Sequence, residues 1–185
     1  MATSEIEISS KALLLIGDNG ISAYDESKAG ITAQALFPSV LENLLAFHLW
    51  RFATKQFNLS RLVTGPLDDT GYQYRFQLPA GYIRTVQVFP GVPYEIVEDK
   101  IHANVDELTL EYIYKPDVAA WPPWFVKLME YTMAAELANP VTESAAVADL
   151  WDGKARLQLG AAMSIDSQQR PNVAFKHNPI LEAHY

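Results

Sequence analysis

The chain is 185 residues long, carries a formal net charge of −8 and has no cysteine. A chain of that length can bury a sizeable core in one domain without a staple, and the missing thiols exclude disulfides, thiolate nucleophiles and cysteine-based zinc sites, as suits a reducing cytosol. The negative charge is spread without a basic block, which disfavours tight phosphate binding but would suit a wall that DNA slides past without sticking.

Residues 1–7 are acidic and lack an apolar signal core, and no run approaches the roughly 18 apolar residues of a membrane span, so neither a targeting segment nor a membrane anchor is expected. The first helix is predicted over residues 5–16, because Ser4 and Glu7 have capping-box spacing and Ile8, Ala12, Leu15 and Ile16 share a stripe. Gly17, Asp18, Asn19 and Gly20 stop it. A phosphate loop would need a strand before the glycines and a helix after them, so this reads as a C-cap turn.

Residues 27–52 form the longest strongly periodic stretch, with Ala33, Leu36, Phe37, Val40, Leu41, Leu44, Leu45 and His48 recurring at three and four. Asp25 or Ser27 can cap its start, and Pro38 predicts a kink or a restart, since it removes a donor and crowds the Gln34 carbonyl. His48 at its end is read as a hydrogen-bonding residue of the helix terminus or core, and the stretch as the central helix of the helical part. From residue 53 the period changes to two, most clearly where Tyr72, Tyr74, Phe76 and Leu78 alternate with Gln73, Arg75 and Gln77. Strands are predicted over 54–62, 72–78, 83–89, 94–97, 100–103 and 108–114, as one meander of hairpins. Arg75 and Arg84 among these aromatics would line a single-strand platform only if the rings were exposed in a basic groove; the segment is slightly acidic, which favours buried rings.

Helix resumes after Trp121, with Pro122 and Pro123 suited to its first turn, Phe125, Leu128, Met129, Met133 and Leu137 as its stripe, and Asn139 and Pro140 as its stop. Thr142 can cap a fourth helix reaching about Asp166, with Trp151, Ala155, Leu159 and Ala162 on one face. Val147, Leu150, Leu157 and Ala161 form a second stripe, and Gly153 and Gly160 would admit another helix closely. Either this helix is central, or part of it meets a neighbouring subunit. Residues 167–185 have no period but keep Phe175, Ile180, Leu181 and Tyr185, so they read as an extended arm that docks on another surface or packs back on its own domain. The predicted class is α+β: a four-helix bundle (1–52 and 117–166), an antiparallel β-sheet inserted between the second and third helices (53–116), and an extended C-terminal arm (167–185).

No Walker loop, His-Glu-x-x-His pair, EF-hand loop or nucleophile elbow is present. The histidines, His48, His102, His177 and His184, are dispersed, and the acidic pairs Asp68–Asp69 and Glu98–Asp99 fall in predicted turns. No catalytic, cofactor-binding or metal-ligating residue is assigned.

In their order and spacing the segments resemble the tail tubular protein A and head-to-tail connector (adaptor) family of tailed phages, especially podophages, over most of the chain. The residues that carry the resemblance are Ala35-Leu36-Phe37-Pro38-Ser39-Val40 with Leu44-Leu45 and His48-Leu49-Trp50-Arg51-Phe52-Ala53, then Leu78-Pro79-Ala80-Gly81-Tyr82-Ile83-Arg84. They continue with Leu110-Glu111-Tyr112-Ile113-Tyr114-Lys115-Pro116-Asp117, the Trp-Pro-Pro-Trp-Phe helix opening, Met133-Ala134-Ala135-Glu136-Leu137-Ala138 and the terminal Leu181-Glu182-Ala183-His184-Tyr185. Leu49 stands where the family often has a loop-former, and His184 replaces its usual terminal arginine.

The resemblance implies a structural virion protein without enzymatic activity or cofactor, at the head-tail junction and assembled in the host cytoplasm. Its subunits would form a homo-oligomeric ring, typically dodecameric, under the portal protein, extend the DNA channel without sequence-specific binding or membrane contact, and provide a platform for the downstream tail or nozzle protein. Arg170, Pro171, Phe175, His177, Ile180, Leu181, His184 and Tyr185 would then form the arm that docks on the portal or a neighbouring subunit, and Val147, Leu150, Gly153, Leu157 and Gly160 the inter-subunit helix face. The alternatives are a tail-associated glycan hydrolase, which would need two carboxyls facing across a cleft, and a tail terminator or stopper protein.

Overall fold

The computed structural model describes residues 4–25, 27–63 and 71–169. In chain order these form helices α1 (Glu5–Leu15) and α2 (Lys28–Phe47), strands β1 (Thr54–Asn58), β2 (Tyr74–Gln77), β3 (Tyr82–Phe89), β4 (Tyr94–Val97), β5 (Lys100–Ala103) and β6 (Thr109–Tyr114), and helices α3 (Pro123–Thr142) and α4 (Ala145–Gln168). The protein is thus a mixed one of four helices and two small antiparallel sheets.

Local chemistry sets the first helix ends. The Ser4 hydroxyl accepts the Glu7 amide at 3.2 Å. Past Leu15 the Gly17 amide donates to Leu14 O at 3.2 Å and the Asp18 amide to Leu13 O at 3.1 Å, a double closure that places Gly17 at φ +86°. The glycine turn is therefore a helix stop. Ser27 caps α2 by accepting the Gly30 amide at 3.0 Å, and the helix runs through Pro38 without a restart. Its far end lacks both a glycine and a basic last turn. Two distant donors serve instead: Trp50 Nε1 reaches Leu44 O at 2.7 Å, and Arg84 Nη1 on β3 reaches Ala46 O at 3.0 Å.

The single meander expected from the alternation is replaced by two three-stranded sheets, β1-β6-β3 and β2-β5-β4. The predicted strand over 54–62 ends at Asn58, where the chain changes sheets: the Leu59 amide still donates to Leu108 O, while Arg61 bridges Phe76 of the second sheet. Burial explains the split. β6 contributes to two cores, with Ile113 in the one shared with the helices, and Leu110 and Tyr112 in a second with Phe76, Ile101 and Ala103. One flat sheet could not cover the Leu110 face of its own central strand; the second sheet packs over that face while the helices cover Ile113 on the other.

Among the helices the centre is α3 and not α2, because α1, α2 and α4 each pack against it. Pro123 opens α3 as expected, but Asn139 and Pro140 do not close it. Pro140 lies in the last turns, where it forfeits one backbone bond; the helix ends where Glu143 turns left-handed at φ +57° and its amide donates to Asn139 O at 3.0 Å. Thr142, expected as the cap of the next helix, donates its hydroxyl to Ala138 O at 2.7 Å, and Ser144 caps α4.

Candidate interaction face and the corner beside it

α4 packs on α3 along one stripe, formed by buried Trp151, Ala155, Ala162 and Asp166 with Leu159 partly buried beside them. Trp151 meets Tyr131 of α3 edge-on at 5.3 Å between ring centroids, and Gln158 Nε2 donates to Trp124 O at 3.2 Å. At ~100° per residue, Leu150, Leu157 and Ala161 fall within about 40° of one another on the far side of the helix. Leu150 and Leu157 are 56% and 78% exposed. Gly153 and Gly160 flank them, and a Cβ built on either meets nothing within 4 Å. The fourth helix is therefore peripheral, and its second apolar stripe is open. Val147 departs from the other residues of the predicted face: it is partly buried against the core.

The arm residues Arg170, Pro171, Phe175, His177, Ile180, Leu181, His184 and Tyr185 lie outside the described residues, as do Asp68 and Asp69. Glu98 and Asp99 form the turn between β4 and β5, where Lys100 Nζ lies 3.4 and 2.9 Å from their carboxylates. The Gln77 amide, and then Lys100, hold the Asp99 carboxyl below its ordinary range, so it stays charged rather than serving as a proton donor. A cleft of about 410 Å³ between α2 and the first sheet is lined by Glu42, Asn43, Ala46, Gly81, Tyr82, Ile83 and Lys115. Glu42 is the one carboxylate among the described residues that line it. His102 is buried in β5, in register with Arg75 and Glu95. No group of three metal-ligating side chains converges among the described residues, and no described helix is long and apolar enough to cross a membrane. Of the aromatic side chains in the sheets, Phe76 and Tyr112 are buried, whereas Phe57, Phe89 and Tyr94 are partly open to solvent.

Sequence reading did not connect His48 to the end of α4. His48 follows the last residue of α2, and its Nε2 lies 3.4 Å from Asp166 Oδ2 in the last turn of α4. Both Asp166 oxygens also accept the Arg51 amide, at 3.0 and 3.2 Å. Asp166 is only 1% exposed, and burial raises its carboxyl above the ordinary value, against the lowering effects of the Arg51 amide and of His48. Around this corner Trp50 is fully buried among His48, Phe52, Trp124 and Phe125. The only advance signal was an acidic residue on the buried stripe of a helix, which periodicity alone could not distinguish from a helix end reaching solvent.

No protein-family model matches the chain, and a comparison with curated proteins finds no match either.

Proposed function

We propose that this protein is a head-to-tail connector (adaptor) subunit of a tailed phage, resembling the tail tubular protein A family, and that its copies form a ring under the portal. The observation that carries the reading is the outer face of α4. A helix of 24 residues lies on one neighbour and leaves Leu150, Leu157 and two unobstructed glycines in the open. An exposed Leu pair with close backbone access suits a subunit contact, since burying each leucine gains about 1.5–3 kcal/mol. In this reading the four helices form the bundle that builds the ring, the two sheets face outward or towards the next tail component, and residues 167–185 hold the portal or an adjacent subunit. The net charge of −8 supports the same role, because a like-charged channel wall lets DNA pass without adhesion.

Truncation after Ser167 tests the arm in assembled particles. Loss of the portal–tail joint or of packaged DNA is the expected result; particles that still join and retain DNA would remove the role given to the arm.

A further inference from the structure

We propose that Asp166, His48 and the Arg51 amide form a proton-operated latch between the end of α4 and the corner where α2 gives way to the first sheet. The geometry sets Asp166 apart from every other carboxylate described. It is buried, it stands in the last turn of a helix where the macrodipole disfavours negative charge, and it bridges two segments more than a hundred positions apart, with both oxygens on one amide and one within 3.4 Å of an imidazole nitrogen. A surface aspartate at a helix end would carry none of these costs. Replacing it with an apolar residue would orphan the Arg51 amide, so the site requires an acceptor but not a charge.

Two states follow. With Asp166 charged, the carboxylate holds the Arg51 amide and attracts His48. With Asp166 protonated, one oxygen remains on the amide, the counter-charge to His48 is gone, and the imidazole, edge-on to Trp50 at 4.7 Å between ring centroids, is released from α4. The charged and titratable groups acting on Asp166, among the described residues, are His48 at the end of α2 and Arg51 in the 3-10 turn before β1.

The sign is set by burial, which raises the Asp166 carboxyl. A carboxyl raised in the fold contributes stability that is complete below its unfolded value of about 3.9 and is lost as pH rises through its folded value. The charged latch is therefore the costly state, and uptake of a proton relaxes it at a less acidic pH than an ordinary aspartate would require.

Thermal melts of the full chain from neutral to acid pH, compared between wild type and Asp166→Asn, test this. Asparagine keeps an oxygen for Arg51 and cannot ionise. The variant is expected to melt above wild type at neutral pH, with the two curves converging as pH falls toward about 4. The Asp166 carboxyl carbon, followed by NMR in wild type, is expected to titrate above the range of an ordinary aspartate. Should the asparagine variant fail to fold, the Asp166 carboxyl signal decides alone, and in His48→Gln it is expected to titrate at still higher pH, because the imidazole that lowers it is gone. Parallel melting curves across the range, or an Asp166 carboxyl that titrates within or below the ordinary aspartate range, would overturn the latch.

Discussion

Replacing Trp50 with alanine should be among the most damaging changes available outside any interface. The indole is fully buried and lies 4.7 to 6.3 Å, centroid to centroid, from His48, Phe52, Trp124 and Phe125. Truncating a buried aromatic to alanine costs about 3–5 kcal/mol. The same change removes the Nε1 donor from Leu44 O, a carbonyl in the last turn of α2, for roughly 1 kcal/mol more. The sum, about 4–6 kcal/mol, is comparable with the entire stability of many domains of this size. Trp50→Phe separates the two contributions, since it keeps most of the ring but leaves the carbonyl without its donor, at a cost of about 1–3 kcal/mol. Urea unfolding followed by far-UV circular dichroism reads both variants without depending on tryptophan fluorescence. Phe47→Ala, three residues earlier but 61% exposed, is the control and should stay within about 0.5 kcal/mol of wild type. A Trp50→Ala midpoint close to that of Phe47→Ala would refute the claim that this corner holds the helices to the first sheet.

Four further changes separate positions that look alike in the sequence. Glycine inside a helix is ordinarily worth replacing by alanine, for a gain of about 0.5–1 kcal/mol. At Gly30 the sign should reverse, because a Cβ would lie 2.9 Å from the Asp25 backbone oxygen and closer still to its carboxylate; a lowered urea midpoint is expected. Gly153→Ala and Gly160→Ala meet open space and should each stabilise the isolated subunit, while native mass spectrometry should show weakened assembly if another helix approaches there. Arg84→Ala removes the donor to Ala46 O and should cost about 1 kcal/mol in the same unfolding assay, with the helix content by circular dichroism almost unchanged.

Much of this architecture could be read from the sequence because local signals and burial agreed. Ser4, Ser27 and Pro123 mark helix starts through groups close in sequence, and the strands over 83–89, 94–97 and 100–103, bounded by turn residues, fall within a residue of their expected ends. Where partners are distant, the sequence was silent. The end of α2 has no local stop, because its last carbonyls are satisfied by Trp50 and by Arg84, the latter 38 positions away. The division into two sheets depends on which strands share a core, and Leu110 and Ile113 look equally apolar although they face different ones. Asn139 and Pro140 are ordinary stop signals overridden by packing of α3 against its neighbours, so the true end falls at Glu143. On α4 the two apolar stripes were both visible in the sequence. Which one the chain buries for itself is shown by the fold, where Trp151 meets Tyr131.

Electron microscopy of the purified full chain mixed with its portal tests the connector reading most directly. A second ring coaxial with the portal, its copies meeting along α4, is the expected result. A chain that stays monomeric beside unaltered portal rings would contradict it.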